Sequence, residues 1–171
     1  GANLGIWTII ALESIKKEGR VHCFEPNPKL CQRLQKNLNF NNLDEQCNLH
    51  QVALSSDSKT TYLYLDDWNH QMASLRKWKY NSKKIKVSTK TIDSFNYKRI
   101  DGMKIDVEGH ETHVIKGAME TITSLKPWLV VELNNSFHNI PKIIQWEVYQ
   151  MLTEVGYSTN FKVTESLEYS F

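Results

Sequence analysis

Phe24-Glu25-Pro26-Asn27-Pro28 reads as the end of a strand running into a helix. Residues 20–24 form a short, largely apolar segment of strand type. Asn27 can cap the helix that follows, and Pro28 suits the first helical position because it has no N–H to leave unsatisfied. Leu30, Leu34 and Leu38 then fall on one helical face, and Asn41-Asn42 breaks the pattern. Upstream, Gly1-Ala2-Asn3-Leu4-Gly5 precedes Ile6, Ile9, Ile10 and Ile15 near helical spacing, with Gly19 as the expected terminator. The beginning of the chain is thus loop, helix, strand, acid, helix.

The same alternation continues. Residues 47–54, 60–65, 85–89, 102–107 and 128–133 read as strands. Val114, Ile115, Ala118, Met119, Ile122 and Leu125 mark one helix, ended by Pro127. Ile143, Ile144, Val148, Met151, Leu152 and Val155 mark another, with Gly156 as its C′ residue. Residues 157–163 and 168–171 are expected to close the sheet. Strands alternating with amphipathic helices predict an α/β domain with a mostly parallel sheet and helices on both faces. At 171 residues, a single domain over 1–171 is expected.

Composition narrows the function classes. Lys plus Arg is 21 and Asp plus Glu 19, a formal charge of +2, which speaks against nucleic acid as a partner on charge alone. The chain is 40% hydrophobic and 11% aromatic, which excludes disorder. No uninterrupted apolar run is longer than residues 128–131, so no membrane span is expected. Cys23, Cys31 and Cys47 are odd in number and lack CxxC spacing. A disulfide framework and a zinc site are therefore not expected, and a reducing, cytoplasmic location fits. The chain opens on Gly inside a loop, and an N-terminally truncated domain is expected.

Open parallel sheets bind ligands at the carboxyl ends of their strands. The Gly1–Gly5 loop would bring backbone close to a ligand at a helix N-terminus, or it is an ordinary tight turn. Glu25 stands one helix further on, where a carboxylate can accept both hydroxyls of a ribose; otherwise it is a solvated loop acid. GANLG lacks the middle glycine of GxGxxG, so a ribose-bearing cofactor other than a dinucleotide is favoured. In Asp101-Gly102-Met103-Lys104-Ile105-Asp106-Val107-Glu108-Gly109-His110-Glu111, the groups Asp106, Glu108 and His110 cluster where a strand meets a helix. Carboxylates and imidazole can hold a metal, but no spaced set completes a shell, and no metal is expected. Glu111 fits a helix-start cap.

GANLG, FEPNP, VALSSD, MKIDVEGHE, VIKGA and KPWLVVEL occur in that order. The chain resembles the FkbM family of S-adenosylmethionine-dependent methyltransferases over nearly its whole length. The resemblance implies the Rossmann-like class I methyltransferase sheet, whose central first strand would precede Gly1, between the strands ending at Glu25 and Asp106. It implies O-methylation, with S-adenosylmethionine as cofactor. Gly1, Asn3 and Gly5 would hold the methionine part, Glu25 the ribose, and Ala53, Ser55 and Asp57 the adenine. Asp106 would lie beside the amino acid end of the cofactor or the acceptor.

An alcohol acceptor calls for a general base. Glu108, Asp106 and His110 are the catalytic candidates. His110 has the right intrinsic range, or is a surface residue at a helix start. A sugar or small-molecule acceptor, natural products included, is expected. From Asn69 through Ile92 there is no acid, while Arg76, Lys77, Lys79, Lys83, Lys84, Lys86 and Lys90 are basic, with Trp68, Trp78 and Tyr80 nearby. This 76–90 loop could hold an anionic sugar, a phosphate or single-stranded nucleic acid, or be a solvated loop. Asn134, Asn135 and His138 follow a strand end and are acceptor-contact candidates. A Rossmann-type oxidoreductase and a nucleic-acid-binding module built on the basic loop are the competing readings.

Overall fold

The computed structural model describes residues 1–65, 73–77, 83–133 and 146–158. The expectations for Trp68, Trp78, Lys79, Tyr80, Asn134, Asn135, His138, Ile143 and Ile144, and for the chain beyond 158, lie outside the described residues.

The chain enters through α1 (Ile6–Ser14), β1 (Val21–Phe24), α2 (Pro28–Phe40) and β2 (Cys47–His50). Asn27 Oδ1 accepts the Lys29 N–H at 3.0 Å and Pro28 opens α2, as Asn-Pro predicts. β1 and β2 pair in parallel, Val21 opposite Cys47, and the Glu25 N–H extends the ladder to the His50 carbonyl. Leu12 of α1 and Leu34 and Leu38 of α2 bury with Cys23 against one face of this pair. Each leucine so buried contributes about 1.5–3 kcal/mol relative to exposure.

α1 stops at Ser14, with Ile15 extended, and Gly19 instead closes a turn on the Lys16 carbonyl. The glycine expected to end the helix therefore lies beyond it.

Next come β3 (Ala53–Leu54), β4 (Thr60–Leu65), β5 (Ala73–Ser74) and β6 (Lys83–Lys90). They form one sheet of order β3-β6-β4-β5, in which only β3–β6 is parallel. This antiparallel meander departs from the expectation of a mostly parallel arrangement. It also corrects the basic loop. Lys84, Lys86 and Lys90 stand on a strand, alternating with the buried Val87 and Thr89, and Lys83 opens that strand.

β7 (Gly102–Ile105) pairs in parallel with β8 (Trp128–Val131), and between them run α3 (Glu111–Lys116) and α4 (Met119–Leu125). One helix is expected here and two are found. Gly117 passes so close to the Ser55 carbonyl that a Cβ would sit 2.0 Å from its oxygen, and Asp93 caps the second helix by accepting from the Glu120 and Thr121 N–H groups. Periodicity continues through the break because both helices face the same core. That core joins Val114, Ile115, Ile122 and Ile105 to Val148 of α5 (Glu147–Glu154), and Gly156, at φ 89°, follows α5 as the C′ residue.

Phe24 packs with this second core while its neighbour Cys23 packs with the first, so helices cover both faces of β1. Among the described residues no strand lies between β1 and β7. The two sheets meet instead at Gly1 and Ala2, whose N–H groups donate to the carbonyls of Asp106 and Phe24. No helix among the described residues is long and apolar enough to cross a membrane.

Candidate active site

Glu25 is the buried centre of the first strand-end loop, only 4% exposed. Its Oε2 accepts the Asn3 N–H and its Oε1 the Asn27 N–H, both at 2.9 Å. The carboxylate thus ties the glycine loop to the start of α2. A Cβ on Gly1 would lie 2.9 Å from Oε2, so Gly1 lets this loop close on the acid. Gly5 has a different reason. Its φ is +90°, and a Cβ there would strike Leu34 Cδ1 at 2.0 Å, so Gly5 lets the loop pack closely on α2. Asn3 is also left-handed, at φ 54°.

The second strand-end loop follows β7. Glu108 at φ 53° and Gly109 at φ 89° make a left-handed turn, a strained conformation for a glutamate. Glu111, expected only as a cap, is 2% exposed, and its Oε1 accepts the N–H groups of Val107 at 3.2 Å and Gly109 at 3.0 Å. It clamps the turn from below. From the meander, Ser74 Oγ donates to the Glu108 carbonyl at 2.7 Å and clamps it from the other side.

Three acids converge there. Asp106 is paired with Lys104 at 2.7 Å, and the same ammonium lies 3.9 Å from Glu132. Half-burial, then repulsion from Asp106, raises the Glu108 carboxyl above its ordinary range. Glu132 is raised too, by Asp106 first and burial second. Sequence reasoning passed over Lys104 and Glu132. The signal for Glu132 was present, because KPWLVVEL also ends a strand in an acid.

His110 goes elsewhere. Its Nε2 lies 3.0 Å from the Oγ of buried Ser55, and its ring stacks on His113 at 4.2 Å. Burial, then the neighbouring His113, lowers its pKa to about 4, so it is neutral at physiological pH. Ala53 is buried in β3, and Asp57 pairs with Lys59 at the surface at 2.8 Å. The candidate residues therefore form two groups joined by the 106–110 loop. Gly1, Asn3, Glu25, Asp106 and Glu108 gather at the ends of β1 and β7, and Ser55, Asp57 and His110 gather after β3. No group of three His, Cys, Asp or Glu side chains suited to a metal occurs among the described residues.

The family model for the methyltransferase FkbM domain matches residues 1–159. The chain belongs to the FkbM methyltransferase family. It is 26% identical over 161 residues to "Methyltransferase 1" of Beauveria bassiana (strain ARSEF 2860), a match that covers 80% of this chain and 63% of that protein. The crystal structure of methyltransferase FkbM from Methylobacillus flagellatus KT, solved at 2.20 Å, superposes with a TM-score of 0.54 at 20% identity, covering 77% of this chain and 30% of that one. That likeness supports the Rossmann-like α/β fold of this FkbM chain. The chain thus spans less than two thirds of either relative.

Proposed function

We propose that the protein transfers a methyl group from S-adenosylmethionine to a hydroxyl oxygen of a sugar or other small-molecule acceptor. The observation that carries this reading is Glu25. A carboxylate offers about four lone-pair sites, and backbone N–H groups occupy one on each oxygen here. The other sites match two ribose hydroxyls, in a loop where a Gly1 side chain would meet the acid.

Gly1, Asn3 and Gly5 would line the methionine end of the cofactor and Asp106 its amino group, with Ala53, Ser55 and Asp57 around the adenine. When bound, S-adenosylmethionine supplies a methyl group already activated on a sulfonium. The protein's task is then alignment, exclusion of water and removal of the acceptor proton.

Glu108 is the base in this reading. Its carboxylate takes the hydroxyl proton as the oxygen–carbon bond forms, and partial burial strengthens it for that role. Asp106 is engaged with Lys104 and given to the cofactor's amino group, and His110 is engaged with Ser55, so neither takes the acceptor proton in this reading. Titration calorimetry tests the cofactor site. Glu25→Gln turns one acceptor oxygen into a donor and should weaken S-adenosylmethionine binding roughly 10- to 150-fold. Equal affinities would remove Glu25 from the site.

A further inference from the structure

The meander carries a feature that neither the cofactor loop nor the acid cluster uses. In an antiparallel pair, directly opposed residues share a face. Thr60 stands opposite Ser88, Tyr62 opposite Lys86, and Tyr64 opposite Lys84. One face of β4–β6 is therefore threonine, two tyrosines, two lysines and a serine, with no acid. The other buries Leu63, Val87 and Thr89. Lys84 Nζ lies 4.3 Å from the Tyr62 ring centroid, which holds this cation on the outer face.

Both ends of this face reach the strand-end loops. At one end, a cleft of about 230 Å³ opens between Thr60, Lys86, Val87 and Ser88 on the meander and Pro26, Pro28 and Gln51 at the carboxyl ends of β1 and β2. Pro26 directly follows Glu25. At the other end, Tyr64 stands opposite Ser74, whose hydroxyl holds the Glu108 carbonyl. From Ser88 to Lys84 is about 14 Å at the usual strand rise. The lane thus runs from the residue that follows Glu25 to the strand that holds the Glu108 turn.

We propose that this cleft seats the anionic sugar unit of the methyl acceptor, a ring bearing a phosphate or carboxylate, and that the hydroxyl to be methylated is carried further along the face toward Glu108. The proposal rests on the methyltransferase reading above. Lys86 meets the anion in the cleft and Lys84 adds charge along the lane. Thr60, Ser88 and Gln51 supply hydrogen-bonding groups for ring hydroxyls. The cleft is smaller than the roughly 300–1,000 Å³ of sites for drug-sized ligands, which fits one ring of the acceptor. The +2 balance of the whole chain makes this acid-free face a local feature rather than a consequence of overall charge.

The test titrates the full chain with glucose 6-phosphate, glucuronate, glucose, decathymidylate and, separately, S-adenosylmethionine. The two anionic sugars should bind at least tenfold tighter than glucose. Lys86→Gln should remove most of that advantage and leave S-adenosylmethionine binding unchanged. Lys84→Gln should weaken both anionic sugars severalfold. Both lysines are exposed on the strand, so the variants should melt with the parent. The proposal is overturned by equal binding of the three sugars, by no effect of Lys86→Gln, or by decathymidylate binding more tightly than any sugar. S-adenosylmethionine binding without anionic-sugar binding overturns this site and spares the cofactor reading. Anionic-sugar binding that is Lys86-dependent but without S-adenosylmethionine binding upholds the site and overturns the cofactor reading alone.

Discussion

Replacing Glu111 should show how much of the acid cluster's geometry is held from beneath. One oxygen of this buried carboxylate accepts two backbone N–H groups, from Val107 and Gly109, on either side of the left-handed Glu108. Hydrogen bonds to a charged group contribute about 1.5–3 kcal/mol each, so Glu111→Ala should cost roughly 3–6 kcal/mol. That is a large share of the roughly 5–15 kcal/mol that holds a domain folded. Glu111→Gln keeps the acceptor oxygen and loses the charge. Charge-assisted bonds are roughly twice as strong as neutral ones, so the glutamine should cost about half as much, about 1.5–3 kcal/mol. For a chain of this size that lowers Tm by roughly 3–12 °C. Denaturant unfolding of the three proteins gives the energies, and turnover measured well below the lower Tm reports the turn itself. Methyl transfer by Glu111→Gln should fall while S-adenosylmethionine affinity changes little. If Glu111→Ala melts with the parent, the carboxylate does not hold the turn and the reasoning fails.

Three further outcomes follow from the same site. Glu108 has a raised carboxyl pKa, so its ionised form opposes folding. The stability it allows is full below the ordinary carboxylate range and is lost as pH rises through the raised value. Glu108→Gln should therefore abolish methyl transfer yet raise Tm at pH 7.5, with the gain disappearing at about pH 4. A loss of stability at pH 7.5 would refute this. His110, lowered to about 4 from 6.5, behaves in the opposite sense: its neutral form's stability is present above 6.5 and is lost as pH falls toward 4. His110→Gln, which keeps a partner for Ser55, should flatten the stability–pH curve across that window by at most about 3 kcal/mol, less after solvent screening. An unchanged curve would place the ring in water. Dialysis against a chelator should leave methyl transfer intact; activity lost and restored by magnesium would recast Asp106, Glu108 and Glu132 as ligands.

What could be read from the sequence was local. Asn27-Pro28 caps a helix by its own chemistry, and an apolar run ending in an acid announced both Glu25 and Asp106. Gly156 ends α5 because its left-handed conformation suits glycine. What could not be read depended on partners distant in the chain. The helix break at Gly117 is imposed by Ser55 and Asp93, residues that no periodicity in 111–125 reports. The antiparallel pairing of β4 with β6 fixes which side the lysines take, although the alternation of Lys84, Lys86, Ser88 and Lys90 with Val87 and Thr89 already carried the strand signal. Gly5 was visible as a special residue, but its reason, the Leu34 side chain, is a packing contact. His110 looked like a base on intrinsic acidity, and only the fold reveals its engagement with Ser55.

The proposed cofactor site depends on the pairing of Glu25 with a ribose, and a binding cycle tests that contact directly. S-adenosylmethionine and its 2′,3′-dideoxyribose analogue are each titrated into the parent protein and into Glu25→Gln. If Glu25 holds the ribose, removing the hydroxyls weakens binding to the parent at least tenfold and to Glu25→Gln less than about threefold, because the partner is already compromised. If the analogue loses the same factor against both proteins, the ribose lies elsewhere and the central claim is contradicted.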